Sequence, residues 1–325
     1  MKKRRILLAL IMLIISGISL TTATYAWFTA NRAVSVEEID VKAQASGGIQ
    51  ISADAETWSN EVDLTDLRDP GLPAKEILNY IPTEALKPVT TVGVVNDTVP
   101  GSFNFFLGEL NEAGDKVSLV STADSDNNYV AFDLYFYSAK PQTIEFNAGT
   151  QVVAKNVDVP KSDATDTGLK SSVRVGFLVQ GNDPSATPET SRRLKNGKKA
   201  DQTIWEPNAD VHTKYAENML GASGIMTTMG GKLITPLGAE DKPTYVATNN
   251  STYFENITTE THHLKTSTKD GLYPTGTIFS FLAGITKVRV YVWLEGQDID
   301  NEDTASLGTG VGVKLNFRIP ESSGV

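Results

Sequence analysis

No cysteine occurs in the 325 residues, so no disulfide framework, thiolate metal site or cysteine nucleophile can be built. A chain of this length buries a large fraction of its surface without such staples. Histidine is almost as scarce. Of the three, the adjacent His262 and His263 would point to opposite faces of a strand, and His212 has no partner at a metal-ligand spacing. No nucleophile elbow of the glycine, serine, glycine type is present, and the glycine-rich stretch 221–232 lacks the spacing of a phosphate-binding loop. A secreted hydrolase is therefore the least supported reading, and no catalytic residue is nominated. Basic residues are in deficit, with 29 Lys and Arg against 39 Asp and Glu for a net charge of -10. That balance opposes association with nucleic acid or an anionic membrane surface.

What the chain does have begins at its first residues. Lys2, Lys3, Arg4 and Arg5 form a positive segment, residues 6–20 are almost wholly apolar, and small residues follow up to Ala26. That order is the n-region, h-region and cleavage region of an export signal. Residues 1–26 are accordingly read as a signal peptide, with cleavage after Ala23 or Ala26 and preference for the Ala26–Trp27 bond. An uncleaved anchor is the alternative, since a run of roughly 20 residues can just cross a hydrocarbon core. No later apolar run is that long. Cleavage takes the basic count from 29 to 25 against the same 39 acids, so the mature chain carries -14. Membrane contact is then expected only during export.

Strand signals dominate the remainder. Val130, Phe132, Leu134 and Phe136 alternate with Ala131, Asp133, Tyr135 and Tyr137; Val173, Val175, Phe177 and Val179 alternate with Arg174, Gly176, Leu178 and Gln180. The same period of two runs through 288–295 and 311–319, as half-buried strands require. Shorter strands are expected at 34–42, 48–53, 102–107, 117–121, 144–146 and 232–235. Helical patterns are confined to 73–81 and 211–220. Strands that do not alternate with long helices exclude a doubly wound parallel sheet. The predicted fold is all-β: an antiparallel β-sandwich or jelly roll with long loops and few short helices. Turn residues punctuate 181–276, which reads as a loop-rich insertion in a sandwich domain spanning 48–325.

One acidic loop offers oxygen ligands. Asp298, Asp300 and Glu302 alternate directly after the 288–295 strand and form a candidate calcium site, since calcium takes 6–8 oxygens. The loop lacks the glycine of an EF-hand, and a solvated acidic turn is the competing reading. No other cofactor is expected. The N-glycosylation patterns at Asn96, Asn249, Asn250 and Asn256 are read as chance matches.

The signal junction, Thr24, Tyr25, Ala26, Trp27, Phe28 and Thr29, is followed by an extended stretch and then by Gly47, Gly48, Ile49, Gln50 and Ile51. Together they resemble the TasA and camelysin class of exported Firmicutes proteins, whose signals are cut by a dedicated signal peptidase at such a junction. The segment 288–295 resembles a strand found in many proteins with these signals. The resemblance covers about 30 residues at the start and ten near the end. It implies a jelly-roll protein of an extracellular biofilm matrix that forms fibres by donating an N-terminal strand to the next identical subunit, a form of β-augmentation. Residues 27–47 would be the strand arm, with Phe28, Val34, Val36, Ile39 and Val41 as its apolar positions. Val34 and Val36 fall on one face and Ile39 and Val41 on the other, which calls for a bend near Glu37. An ordinary first strand in its own sandwich fits the same residues. Two departures stand out: the metal motif that protease activity would need is absent, and Thr29, Ala30 and Asn31 occupy the place of the usual acidic residue after the junction.

The expectation is a non-enzymatic structural protein, secreted to the cell surface or matrix of a Gram-positive bacterium. Its partners would be the signal peptidase and further copies of itself. The alternative is a surface adhesin that binds carbohydrate or host protein through the 181–276 loops.

Overall fold

The computed structural model describes residues 39–46, 48–68, 70–72, 79–82, 86–91, 93–94, 101–110, 117–121, 127–156, 169–207, 263–265, 276–296 and 309–320. These build an all-β protein with short helices at Leu64–Arg68, Leu169–Ser172 and Pro188–Arg192. Two six-stranded sheets face one another. The first contains β1 (Ile39–Ala45), β3 (Glu61–Asp63), β8 (Gln142–Phe146), β9 (Gln151–Asn156), β13 (Thr277–Phe281) and β15 (Thr309–Arg318). The second runs in the order β12 (His263–Lys265), β11 (Gln202–Glu206), β10 (Val173–Asp183), β14 (Gly284–Leu294), β7 (Tyr129–Ser138) and β2 (Gln50–Ser52).

The alternating apolar residues of both sheets meet in one core. Val130, Phe132, Leu134 and Phe136 of β7 and Val288, Val290, Val292 and Leu294 of β14 pack with Val311, Val313, Leu315 and Phe317 of β15. A strand's side chains alternate between faces, so this pattern fixes the register of each strand against its neighbours. A corner at 147–150 lets β8 and β9 both pair antiparallel with β15, at its C-terminal and N-terminal ends respectively. Asn147 and Thr150 close that corner on Asn316. Gly149 turns it with φ +86°, where an added Cβ would lie 2.8 Å from the Asn316 amide nitrogen.

The second sheet is covered on both faces, which the expectation of half-buried strands did not foresee. A small sheet of β4 (Thr90–Thr91), β5 (Phe105–Leu110) and β6 (Val117–Ser121) accompanies a second core. There Phe103 stacks on Tyr291 at 4.5 Å and Phe105 on Tyr129 at 4.2 Å, with Ala131, Trp293, Leu178 and Ile204 around them. On that face of β7 and β14, Ala131, Asp133, Tyr135, Tyr291 and Trp293 are thus buried, while Tyr137 stays exposed.

Two expectations need correction. The sandwich does not begin at 48, because β1 lies within the first sheet, driven there by the alternate small apolar residues Val41, Ala43 and Ala45. The loop-rich insertion does not begin at 181: β10 continues to Asp183, and β11 buries Ile204 and Trp205 in the second sheet. The expected antiparallel sandwich is the observed class, with two parallel pairs inside it, β1 with β15 and β11 with β12. The expected helix at 73–81 ends instead in an extended bridge, with Tyr80 and Ala131 exchanging backbone hydrogen bonds of 2.6 and 2.7 Å; residues 73–78 lie outside the described residues, as do 208–262, the helix at 211–220 and the strand at 232–235.

Candidate functional site

Among the described residues, the first strand, β1, has the most distinctive seat. β1 fills a slot between β15, with which it pairs in parallel from Ile39↔Val311 to Ala45↔Phe317, and β3, with which it pairs antiparallel over Lys42–Gln44. Val41, Ala43 and Ala45 point into the core with 0%, 0% and 8% exposure. Backbone bonds continue past the strand: Ala45 N–H donates to Asn60 O at 2.9 Å and Ser46 N–H to Phe317 O at 3.1 Å. On the outer face Lys42 and Gln44 both reach Glu61 of β3. Hydrogen bonds from those two side chains hold the Glu61 carboxyl below the ordinary glutamate range. Lys42 and Glu61 are each 41% exposed at the side chain, and an exposed pair of this kind stabilises weakly.

A second constellation lies on the far face of the second sheet and was not foreseen from sequence. Asp133 of β7 sits between two cations of β14: Lys287 Nζ lies 3.1 Å from Oδ2 and Arg289 3.1 Å from Oδ1. Asp133 and Arg289 are directly opposed in the register, and Lys287 reaches diagonally from opposite Tyr135. Lys287 also donates to the Arg192 carbonyl at 2.7 Å, and Arg192 Nε donates to the Asp54 carbonyl at 2.6 Å. Burial lowers the Lys287 pKa from the usual lysine value, the Asp133 carboxylate opposing it. Burial, with Asp133 next to it, raises the Tyr135 hydroxyl. A separate buried pair joins Arg174 of β10 to Glu206 of β11 at 2.7 Å. The available signal was Asp133 inside the apolar run of β7 together with Lys287 and Arg289 on the non-core parity of β14.

Of the residues nominated from sequence, Val41 is buried in β1 and Ile39 begins that strand. Ala26, Trp27, Phe28, Val34 and Val36 lie outside the described residues, as do Asp298, Asp300 and Glu302. No group of three or more metal-ligating side chains is found among the described residues. His263 lies in β12, opposite Ile204.

The fold and its sites define an all-β sandwich whose first described strand is an internal member of a sheet. Comparison with protein-family models, with curated proteins and with solved structures yields no match.

Proposed function

We propose that the protein is an exported structural subunit that assembles with identical subunits by exchange of its N-terminal strand. The observation that carries this reading is the seat of β1: the first strand among the described residues, flanked by two partners, with the small side chains of Val41, Ala43 and Ala45 turned into the core. Withdrawing β1 exposes a slot with ladder groups on both sides, which is what a strand supplied by another copy can occupy. Exchange of an identical element needs no new interface chemistry, because the incoming strand makes the contacts the resident strand made. The apolar junction residues and the N-terminal export pattern support placing this assembly outside the cell.

The test is electron microscopy and size-exclusion chromatography of the chain starting at Trp27, beside a variant lacking 27–45. Fibres or ladders of oligomers are expected from the first. The truncated variant is expected to give none, and to be rescued as discrete complexes by a synthetic 27–45 peptide. Polymers that persist after truncation, or an intact chain that stays monomeric at millimolar concentration, overturn the reading.

A further inference from the structure

We propose that Lys287 and Asp133 are a covalent cross-linking pair, forming an amide between Lys287 Nζ and Asp133 Cγ that staples β14 to β7. The two side chains are 1% and 5% exposed, and Nζ lies 3.1 Å from Oδ2. They belong to adjacent central strands held in register along ten residue pairs, so the reacting groups are fixed in contact as an intramolecular reaction requires. Burial that lowers the Lys287 pKa favours the neutral amine, which is the nucleophile.

The surroundings suit the product as well as the reactants. Arg289 donates to Oδ1 at 3.1 Å, not to the oxygen facing Lys287. It therefore sits where negative charge develops when the amine adds to Cγ. In the step, one ammonium proton passes to Oδ2, Nζ attacks Cγ, and the Nζ–Cγ bond replaces the Cγ–Oδ2 bond. Oδ2 departs as water with the protons that Nζ sheds, and nothing is oxidised or reduced. The amide N–H that remains has an acceptor in place, the Arg192 carbonyl now 2.7 Å from Nζ. The amide oxygen keeps Arg289 as its donor. Two desolvated charges become one amide with both polar atoms satisfied, whereas a buried ion pair bears the desolvation of each charge. Arg289 keeps a second support in the Tyr291 ring, 5.6 Å away. In a chain without cysteine, such a bond would close the loop between distant strands that a disulfide closes elsewhere.

The experiment is intact mass spectrometry of the full folded chain under denaturing conditions, beside the variants Lys287→Met and Asp133→Ala. The wild type is expected to be lighter than its sequence by one water, and both variants to show their full sequence masses. A tryptic digest of the wild type is expected to contain peptide 117–155, uncut at the Lys140–Pro141 bond, linked to peptide 270–289, with no cleavage after Lys287. A wild type at its full sequence mass overturns the proposal and leaves an ion triad. A water loss that persists in Lys287→Met places the dehydration elsewhere, for instance as a succinimide, and overturns it equally. Where a variant does not fold, presence or absence of the linked peptide in the wild type decides alone.

Discussion

Phe317→Ala is the substitution that most directly tests whether the two large sheets close on a single core. Phe317 lies on β15, 1% exposed, with ring centroids of Phe136, Phe146, Phe177 and Phe279 at 5.3, 6.0, 6.1 and 6.1 Å. Phe136 and Phe177 belong to the opposite sheet, so truncation opens a cavity between the layers and removes two edge-on contacts across it. Burial of this kind places the loss at about 3–5 kcal/mol, and four ring partners put it in the upper half of that range. With a urea slope of about 3 kcal/mol per molar, the midpoint falls by about 1.3–1.7 M at unchanged slope. The matched control is Val153→Ala on the neighbouring β9, where the side chain is 39% exposed; it is expected to shift stability by no more than about 0.5 kcal/mol. Urea titration followed by tryptophan fluorescence reads both. A Phe317→Ala loss below about 1 kcal/mol, equal to the control, refutes a core shared by the two sheets.

Other outcomes follow from the same geometry. Gly176→Ala places a Cβ 2.4 Å from Phe103 and 3.2 Å from Trp293; the forced repacking is expected to cost about 1–3 kcal/mol and to change the near-ultraviolet circular dichroism of the second core. Asp183→Ala removes the acceptor for the Ser185 and Thr187 backbone N–H groups and for the Ser185 and Ser191 hydroxyls. A loss of about 2 kcal/mol in urea titration is expected where buried donors are left without it. Glu61 has its folded pKa depressed by Lys42 and Gln44, so its contribution is complete above the ordinary glutamate value of 4.5 and is lost as pH falls through the folded pKa. Glu61→Gln is therefore expected to flatten the stability profile below that pH, and identical profiles for the two proteins would contradict the contact.

Period-two alternation made β7, β10, β14 and β15 legible because each carries four or five apolar residues of one parity, and a packed core rewards that spacing irrespective of what covers the other face. The other face was misread for the same reason. Tyr129, Tyr291 and Trp293 have polar atoms on large apolar bodies, and nothing local to β7 or β14 announces that Phe103 and Phe105 arrive to cover them. Trp205 and Ile204 were passed over within a stretch rich in turn residues, since five residues of β11 are too few to display a period against such neighbours. Of the candidate strand arm, only the apolar position Val41 can be set against a described side chain, and it is buried in β1. Its parallel pairing with β15, 272 residues further along the chain at Ile39↔Val311, is a matter of tertiary closure that no local pattern encodes. The Asp133, Lys287 and Arg289 cluster is nonlocal in the same sense: single charges on two strands acquire meaning only through the register that opposes them.

The two proposals meet in how unevenly the sandwich is fastened. β14 and β7 pair over ten positions, bury apolar residues on both faces and enclose the Lys287 and Asp133 contact. β1 has seven pairs with β15 but only three with β3, buries the small side chains of Val41, Ala43 and Ala45, and carries a half-exposed ion pair. Burying those three side chains contributes only a few kcal/mol, on the order of 0.8 kcal/mol per methylene-sized group. Under the two proposals together, a body whose central strands are tied and whose first described strand is released would be suited to exchange, because the slot would keep its shape while empty. In the proposed exchange the resident strand would compete with an identical one from a second copy, so contact energy would cancel and effective concentration would decide the outcome. For a strand tethered by a short linker that concentration is on the order of millimolar. Assembly is thus expected to set in steeply with concentration, whereas Ala43→Leu in a synthetic 27–45 peptide, offered to the chain lacking 27–45, overfills the slot for the incoming strand alone and should weaken its binding by about 1–3 kcal/mol without creating a charge or removing a backbone bond. A leucine peptide that bound as tightly as the wild-type peptide would place the contact between subunits somewhere other than this slot.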